Sequence, residues 1–255
     1  MDEIILQTKG LTKHYGGVQA LTDADFVLYR GEHVAIMGDN GAGKSTFVRQ
    51  ITGVERPTRG EILFDGKPVD FANPIEAREA GIEAVFQNLA LADDLDVPSN
   101  LFLGREKFRL RLGPFSILDK RAMREATKAA LAKTGVKIPN LMTTIRNMSG
   151  GQRQCVAIAR TAAFKSKMVI MDEPTAALGV QETAQVEQII RTLKAAGEPL
   201  ILISHNMRQV FDLADRIVVF RRGRIVADLK MGETDHEEVV AYITGAKAGA
   251  DAAAA

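Results

Sequence analysis

An α/β fold, with a parallel sheet behind a phosphate-binding loop and an inserted helical arm, is predicted by three observations in this 255-residue chain. The apolar run Val34-Ala35-Ile36-Met37 leads directly into Gly38-Asp39-Asn40-Gly41-Ala42-Gly43-Lys44-Ser45-Thr46, the strand, glycine-rich turn and helix start of a phosphate loop. A second apolar run, Met168-Val169-Ile170-Met171, ends in Asp172-Glu173, which places two carboxylates at the carboxyl edge of a parallel sheet facing that loop. Between the two, residues from about 90 to 165 carry helical patterning with few strand signals, hence the arm.

Ahead of the arm, Asp65-Gly66 stands between Ile62-Leu63-Phe64 and Val69 as a hairpin turn, so an antiparallel sheet is expected in the N-terminal third. Asn73-Pro74 begins a helix that stops at Gly81. Within the arm, Asp119 caps a helix running to Gly135, and a further helix spans roughly 150–164. Arg105, Lys107, Arg109 and Arg111 alternate, so they would share one face of an extended segment; the first reading is a solvated surface, the second a contact with a membrane protein or anionic headgroups. Leu200-Ile201-Leu202-Ile203 and Ile217-Val218-Val219-Phe220 continue the core sheet, and Arg222-Gly223 marks a second hairpin. The domain is taken as 4–244, and the Ala- and Gly-rich stretch 245–255 as a tail expected to fray.

The residue types explain themselves through triphosphate chemistry. Many donors must converge on the phosphate oxygens, and glycines let successive backbone N–H groups turn inward where side chains would crowd them. The helix that starts near Lys44 adds its positive end, Lys44 reaches the β- and γ-phosphates, and the Ser45 hydroxyl is placed to ligate Mg²⁺. Asp172 is expected to hold Mg²⁺ directly or through water, and Glu173 to serve as general base or to orient the attacking water. Each has a plainer alternative: the loop as a turn that merely needs glycine, and Glu173 as a capping carboxylate ahead of Pro174.

In order, the phosphate loop, Gln87, Ser149-Gly150-Gly151-Gln152, Asp172-Glu173 and His205 resemble an ATP-binding-cassette ATPase over nearly all of residues 4–244. The fold this implies is a P-loop NTPase core of the ABC-ATPase type, with an N-terminal antiparallel β-subdomain and the helical arm at about 90–165. Within that family, Gly38 to Lys44, Met148 to Gln154 and Glu173-Pro174-Thr175-Ala176-Ala177-Leu178-Gly179 look most like the ribose- and fructose-type monosaccharide importers. By resemblance Tyr15 stacks on adenine, and Gln87 senses the γ-phosphate and Mg²⁺ and links to the membrane subunit. Ser149, Gly150, Gly151 and Gln152 match the signature that caps the γ-phosphate of an opposite subunit, and His205 matches the histidine that contacts it. Alone, Tyr15 also reads as packing, Gln87 as a loop amide, Ser149 as a helix cap and His205 as a strand-end histidine. One departure stands out: Ala176-Ala177-Leu178-Gly179 replaces the family's common Ser-Ala-Leu-Asp, which removes a carboxylate at Gly179.

The resemblance further implies ATP and Mg²⁺ as ligands, a second copy of the chain completing two equivalent sites, membrane permease subunits, and indirectly a sugar-binding protein. The expected location is peripheral, on the cytoplasmic face of the cell membrane. Composition agrees: 46% apolar residues suffice for a core, 33 Lys and Arg against 32 Asp and Glu give no basic field for nucleic acid, and no run approaches a membrane span. The acidic start Met1-Asp2-Glu3 lacks a signal peptide's basic region, and the lone Cys155, inside Cys155-Val156-Ala157-Ile158-Ala159, is expected to pack as a small hydrophobe. The rival classes are a cassette for another cargo or for export, and a soluble mechanical cassette of the chromosome-maintenance or ribosome-associated kind. The last would require a long heptad coiled coil or two cassettes joined by a basic linker, and neither fits this chain.

Overall fold

The computed structural model describes residues 3–112 and 115–247, so the start of the acidic N-terminus and residues 248–255 of the expected tail lie outside the described residues. In chain order the elements are β1 (Ile4–Tyr15), β2 (Val18–Tyr29), β3 (His33–Met37), α1 (Lys44–Ile51), β4 (Arg59–Phe64), β5 (Lys67–Val69), α2 (Pro74–Ala80) and β6 (Ile82–Val85). There follow α3 (Val97–Leu101), β7 (Phe108–Leu112), β8 (Phe115–Leu118), α4 (Lys120–Thr134), a 3₁₀ turn (Ile145–Asn147) and α5 (Gly150–Ala162). The chain closes with β9 (Met168–Asp172), α6 (Val180–Ala195), β10 (Leu200–Ile203), α7 (Met207–Leu213), β11 (Arg216–Arg221), β12 (Arg224–Lys230) and α8 (His236–Thr244). The described residues fall into two compact units, one from 3–84, 167–173 and 194–247, the other from 85–112, 115–166 and 174–193.

In the first unit β3 is the keystone. All five of its residues are buried, as a strand covered on both faces requires, and it pairs in parallel with β10 (Val34 opposite Ile201) and with β11 (Val34 opposite Arg216). The sheet runs β12-β11-β3-β10-β9-β6, with β12 returning antiparallel along β11 through the turn at Arg222-Gly223. A separate antiparallel sheet, β2-β1-β4-β5, forms around the hairpins predicted from the N-terminal third. Phe47 of α1 joins these layers: its ring lies 5.2 Å from that of Phe26 in β2 and 5.4 Å from that of Phe220 in β11. Such aromatic contacts add about 0.5–1.5 kcal/mol beyond area burial, so the helix carrying the phosphate loop is held from both sides.

Two of the buried polar side chains here make very different contacts. His33 Nε2 lies 3.0 Å from the Glu198 carbonyl, and burial pushes the imidazole down to about 4, so the ring remains neutral at physiological pH. Arg216 spends its donors on Glu32 at 2.7 and 3.0 Å, Asp228 at 2.6 Å and the Val27 carbonyl at 2.6 Å, which ties β11 to β2, β12 and the entry to β3. Burial alone would lower its pKa, but the two carboxylates outweigh that and drive it above the ordinary arginine value.

The second unit has its own core, in which Val97, Leu101 and Phe102 meet Met123 and Ala130 of α4, Ile145, Met148 and Val156 of α5. Its helix ends obey the sequence signals. The Asp119 carboxylate accepts from Ala122 N at 2.8 Å, and Gly135 closes α4 in the left-handed region. Cys155 is buried in α5, and burial pushes its thiol up to about 11, the behaviour of a packed hydrophobe. One expectation needs correction: the arm is not wholly helical, because β7 and β8 form an antiparallel hairpin within it. Arg109 and Arg111, two of the alternating cations, lie on β7, whereas Arg105 and Lys107 precede it. In the sequence its charged alternation reads equally as a solvated surface, which is why the hairpin did not stand out; residues 113–114 lie outside the described residues.

Candidate nucleotide-binding and hydrolysis site

The loop from Gly38 to Gly43 takes its shape from glycine where nothing else fits. At Gly38, with φ +147°, a β-carbon would come 2.2 Å from the Phe220 carbonyl oxygen, so the chain can leave β3 only with hydrogen at that position. Gly43 then opens α1 as an N-cap that carries no side-chain bond to the helix amides. The first N–H groups of α1 and its positive end are therefore available for an anion. Ser45 and Thr46 stand at this opening, with Ser45 exposed.

Lys44 spans the loop: its Nζ donates to the Gly38 carbonyl at 2.6 Å and to the Asp39 carbonyl at 2.9 Å. Burial lowers its pKa, while Glu173, Asp172 and Asp39 act in the opposite sense, which shows these groups sharing one field. Asp172 ends β9 opposite Ile203 of β10. Its pKa is raised, first by burial and then by the neighbouring Glu173 charge, with Lys44 and Arg49 pulling it back. A half-buried Asp172 with the Glu173 carboxylate beside it makes a site that a divalent cation would neutralise. The hard oxygen donors of Asp172 and Ser45 suit Mg²⁺, which needs few protein ligands when phosphates supply the rest.

Glu173 leaves β9 at φ +52°, a left-handed conformation that costs a non-glycine residue about 1–2 kcal/mol. Two bonds hold it there: its N–H donates to the Ile203 carbonyl at 2.9 Å, and its Oε2 lies 2.8 Å from Nδ1 of His205. Glu173 is thus clamped while the His205 side chain remains 76% exposed, which leaves the imidazole accessible from solvent. His205 is set in turn by the β10 exit, where Ser204 Oγ accepts from Asn206 N at 3.1 Å and donates to Gln209 at 2.9 Å. The plainer reading of Glu173 as a helix cap fails, because its carboxylate turns to His205.

Tyr15 closes the other side of the loop. Its hydroxyl donates to Glu55, which Arg49 and Lys13 also hold. Burial and the Glu55 carboxylate push the phenol above its ordinary value. The ring stays 42% exposed, with the Lys13 ammonium over it at 5.4 Å from its centre.

The remaining predicted residues lie in the second unit. Gln87 is exposed, two residues past the end of β6. The segment that follows it is tied by side chains: buried Asn100 accepts from Ala92 N at 2.7 Å and donates to the carbonyls of Ala92, Leu95 and Asp96, while Arg160 donates to those of Leu89 and Ala90. Ser149 is a helix N-cap in fact, through a reciprocal box in which its Oγ accepts from Gln152 N at 3.2 Å and Gln152 Oε1 accepts from Ser149 N at 3.1 Å. The cap and an anion-binding role are compatible, since the box orients the N-terminal amides of α5 without a charge that would occupy them.

Sequence reasoning missed Glu182. A β-carbon on Gly151 would come 2.1 Å from Glu182 Cγ, and one on Gly179 would come 2.6 Å from its Oε2. The Glu182 carboxylate thus lies in the space beside Gly179. It missed also the backing of the phosphate loop by the β11–β12 turn, where Gly223 N donates to the Ala42 carbonyl at 2.9 Å and the Gly223 carbonyl accepts from Thr22 N at 2.7 Å. Backbone contacts of this kind leave no trace in residue type.

A phosphate loop with a lysine across it, two carboxylates at the adjoining strand end and a histidine clamping the second define a nucleotide-hydrolysing cassette. The chain belongs to the ABC transporter family, whose model matches residues 21–176. It is 49% identical over 248 residues to the fructose import ATP-binding protein FrcA of Rhizobium meliloti, covering 96% of this chain and 95% of the relative. It is 42% identical to the xylose/arabinose import ATP-binding protein XylG of Sulfolobus acidocaldarius, covering 94% of each. The ribose import ATP-binding protein RbsA 2 of Rhizobium johnstonii is also 42% identical, but the chain spans 46% of its length. Among solved structures, the dimeric cassette MJ0796 bound to ADP and Pi matches with a TM-score of 0.75 and 25% identity, over 89% of this chain and 99% of that one. The chain is thus an ABC-type ATPase, with the predicted mixed α/β fold.

Proposed function

We propose that this chain is the ATP-hydrolysing subunit that powers uptake of a monosaccharide through a separate membrane permease. The observation that carries the reading is the convergence of Lys44, Asp172 and Glu173 in one field, in a chain aligned almost end to end with fructose and xylose/arabinose import proteins. Tyr15 stacks the adenine, the amides from Gly38 to Thr46 and Lys44 bind the phosphates, and Ser45 and Asp172 hold Mg²⁺, which supplies charge neutralisation when bound. Glu173 takes the proton of the attacking water or orients it, and His205 fixes the Glu173 carboxylate by the 2.8 Å bond. Gln87 keeps the γ-phosphate- and Mg²⁺-sensing role that the family resemblance gives it.

The capped amides of Gly150 and Gly151 face the nucleotide of a second copy, so two chains share two sites related by two-fold symmetry. The dimeric arrangement of MJ0796 supports this pairing. No described helix is long and apolar enough to cross a membrane. In this reading the chain works at the membrane's cytoplasmic face, held there by its permease. Radiolabelled uptake in a deletion strain of the source organism tests the cargo. High-affinity uptake of one pentose or hexose should disappear while amino-acid uptake persists; normal uptake across a monosaccharide panel, with loss of another solute, would overturn the sugar assignment and leave the ATPase intact.

A further inference from the structure

The β7–β8 hairpin of the second unit carries an apolar face that the nucleotide chemistry does not use. Leu110 pairs with Ile117, and Phe115 stands two residues from Ile117, so the three side chains share one face of the ribbon. All three are open to solvent: Phe115 is 80% exposed, Ile117 58% and Leu110 46%. Arg111 pairs with Ser116 on the other face, its guanidinium 4.9 Å from the centre of the Phe108 ring. The ribbon is amphipathic, apolar on one side and cationic on the other.

Charge in this region is as uneven as its apolarity. Residues 105–124 hold seven Lys or Arg against two carboxylates, in a chain that is otherwise nearly balanced. Lys107, Arg109, Arg111, Lys120, Arg121 and Arg124 are all exposed. The last three open α4, whose first turn contains no acid. A helix N-terminus repels cations, so these residues are not there to stabilise the helix. Asp119, the adjacent carboxylate, is engaged in capping Ala122.

We propose that the hairpin, together with the basic start of α4, docks on the anionic headgroup surface of a phospholipid bilayer. Charge complementarity selects this occupant: a field in which seven cations outnumber Glu106, Asp119 and the adjoining Glu125 fits a surface of uniform negative charge, and the aromatic and aliphatic side chains beside it fit the boundary between headgroups and acyl chains. Long Arg and Lys stems let the cationic heads reach the phosphates while Leu110, Phe115 and Ile117 enter the interface. The contact is independent of which solute is transported.

Co-sedimentation of the full chain with vesicles tests the proposal, using phosphatidylcholine alone or mixed with phosphatidylglycerol. The chain should pellet with the mixed vesicles only, and less so as salt is raised. Arg109→Ala with Arg111→Ala should weaken that binding roughly thirtyfold, from about fivefold per cation. Phe115→Ser with Ile117→Ser should weaken it too. Both double variants should keep the wild-type thermal melt and ATP hydrolysis, because all four side chains lie on the exposed hairpin. Equal binding to neutral vesicles, or binding unaltered by either pair, would overturn the proposal. So would binding confined to protein-containing membranes and lost after protease treatment, which would assign the face to an acidic protein surface.

Discussion

Glu173→Gln is expected to bind ATP with Mg²⁺ at near wild-type affinity and to hydrolyse it roughly a thousandfold more slowly, within the range that general-base groups contribute. The amide keeps the volume and the backbone bond to Ile203 but cannot accept the proton of an attacking water. It also turns the 2.8 Å contact with His205 from a carboxylate bond into a weaker amide bond. ATP should then persist on the protein and hold two copies together, seen as a dimer by light scattering. Turnover at the wild-type rate, or loss of nucleotide binding, would remove Glu173 from its role.

Lys44→Ala should instead fail at binding. The ammonium is fixed by the Gly38 and Asp39 carbonyls and is the cation on the loop itself, so its loss leaves Asp172 and Glu173 facing an anionic nucleotide with little compensation. A charge-assisted hydrogen bond is worth about 1.5–3 kcal/mol, which corresponds to a loss of affinity of roughly ten- to two-hundredfold. Nucleotide titration of the folded variant measures this directly. Unchanged affinity would place the phosphates elsewhere.

Those residues were legible in the sequence because their chemistry fixes both residue type and spacing. Two glycines around four residues ahead of Lys44-Ser45, and two acids ending an apolar strand, admit few other uses. The helix limits at Asn73, Gly81, Asp119 and Gly135 were legible for a similar reason, since caps and left-handed turns demand particular side chains. The β7–β8 hairpin was not: residues 108–111 alternate apolar and cationic, but neither face is buried, so the pattern reads equally well as a solvated surface. Glu182 was invisible because its importance lies in touching Gly151 and Gly179, a proximity created by folding. The Ser149 box reads from sequence as a cap and from resemblance as a phosphate contact, and the geometry accommodates both.

Complementation between two silent variants tests the shared site most directly. Lys44→Ala keeps an intact Ser149-Gly150-Gly151 segment, and Ser149→Arg keeps an intact phosphate loop, so a mixed dimer has one site made wholly of unaltered parts. Each variant alone should be inactive, and an equal mixture should recover about a quarter of the wild-type ATPase rate, since half the dimers are mixed and each has one working site of two. A mixture as inactive as its components, with both variants folded and dimer-competent, would contradict a site built from two copies of the chain.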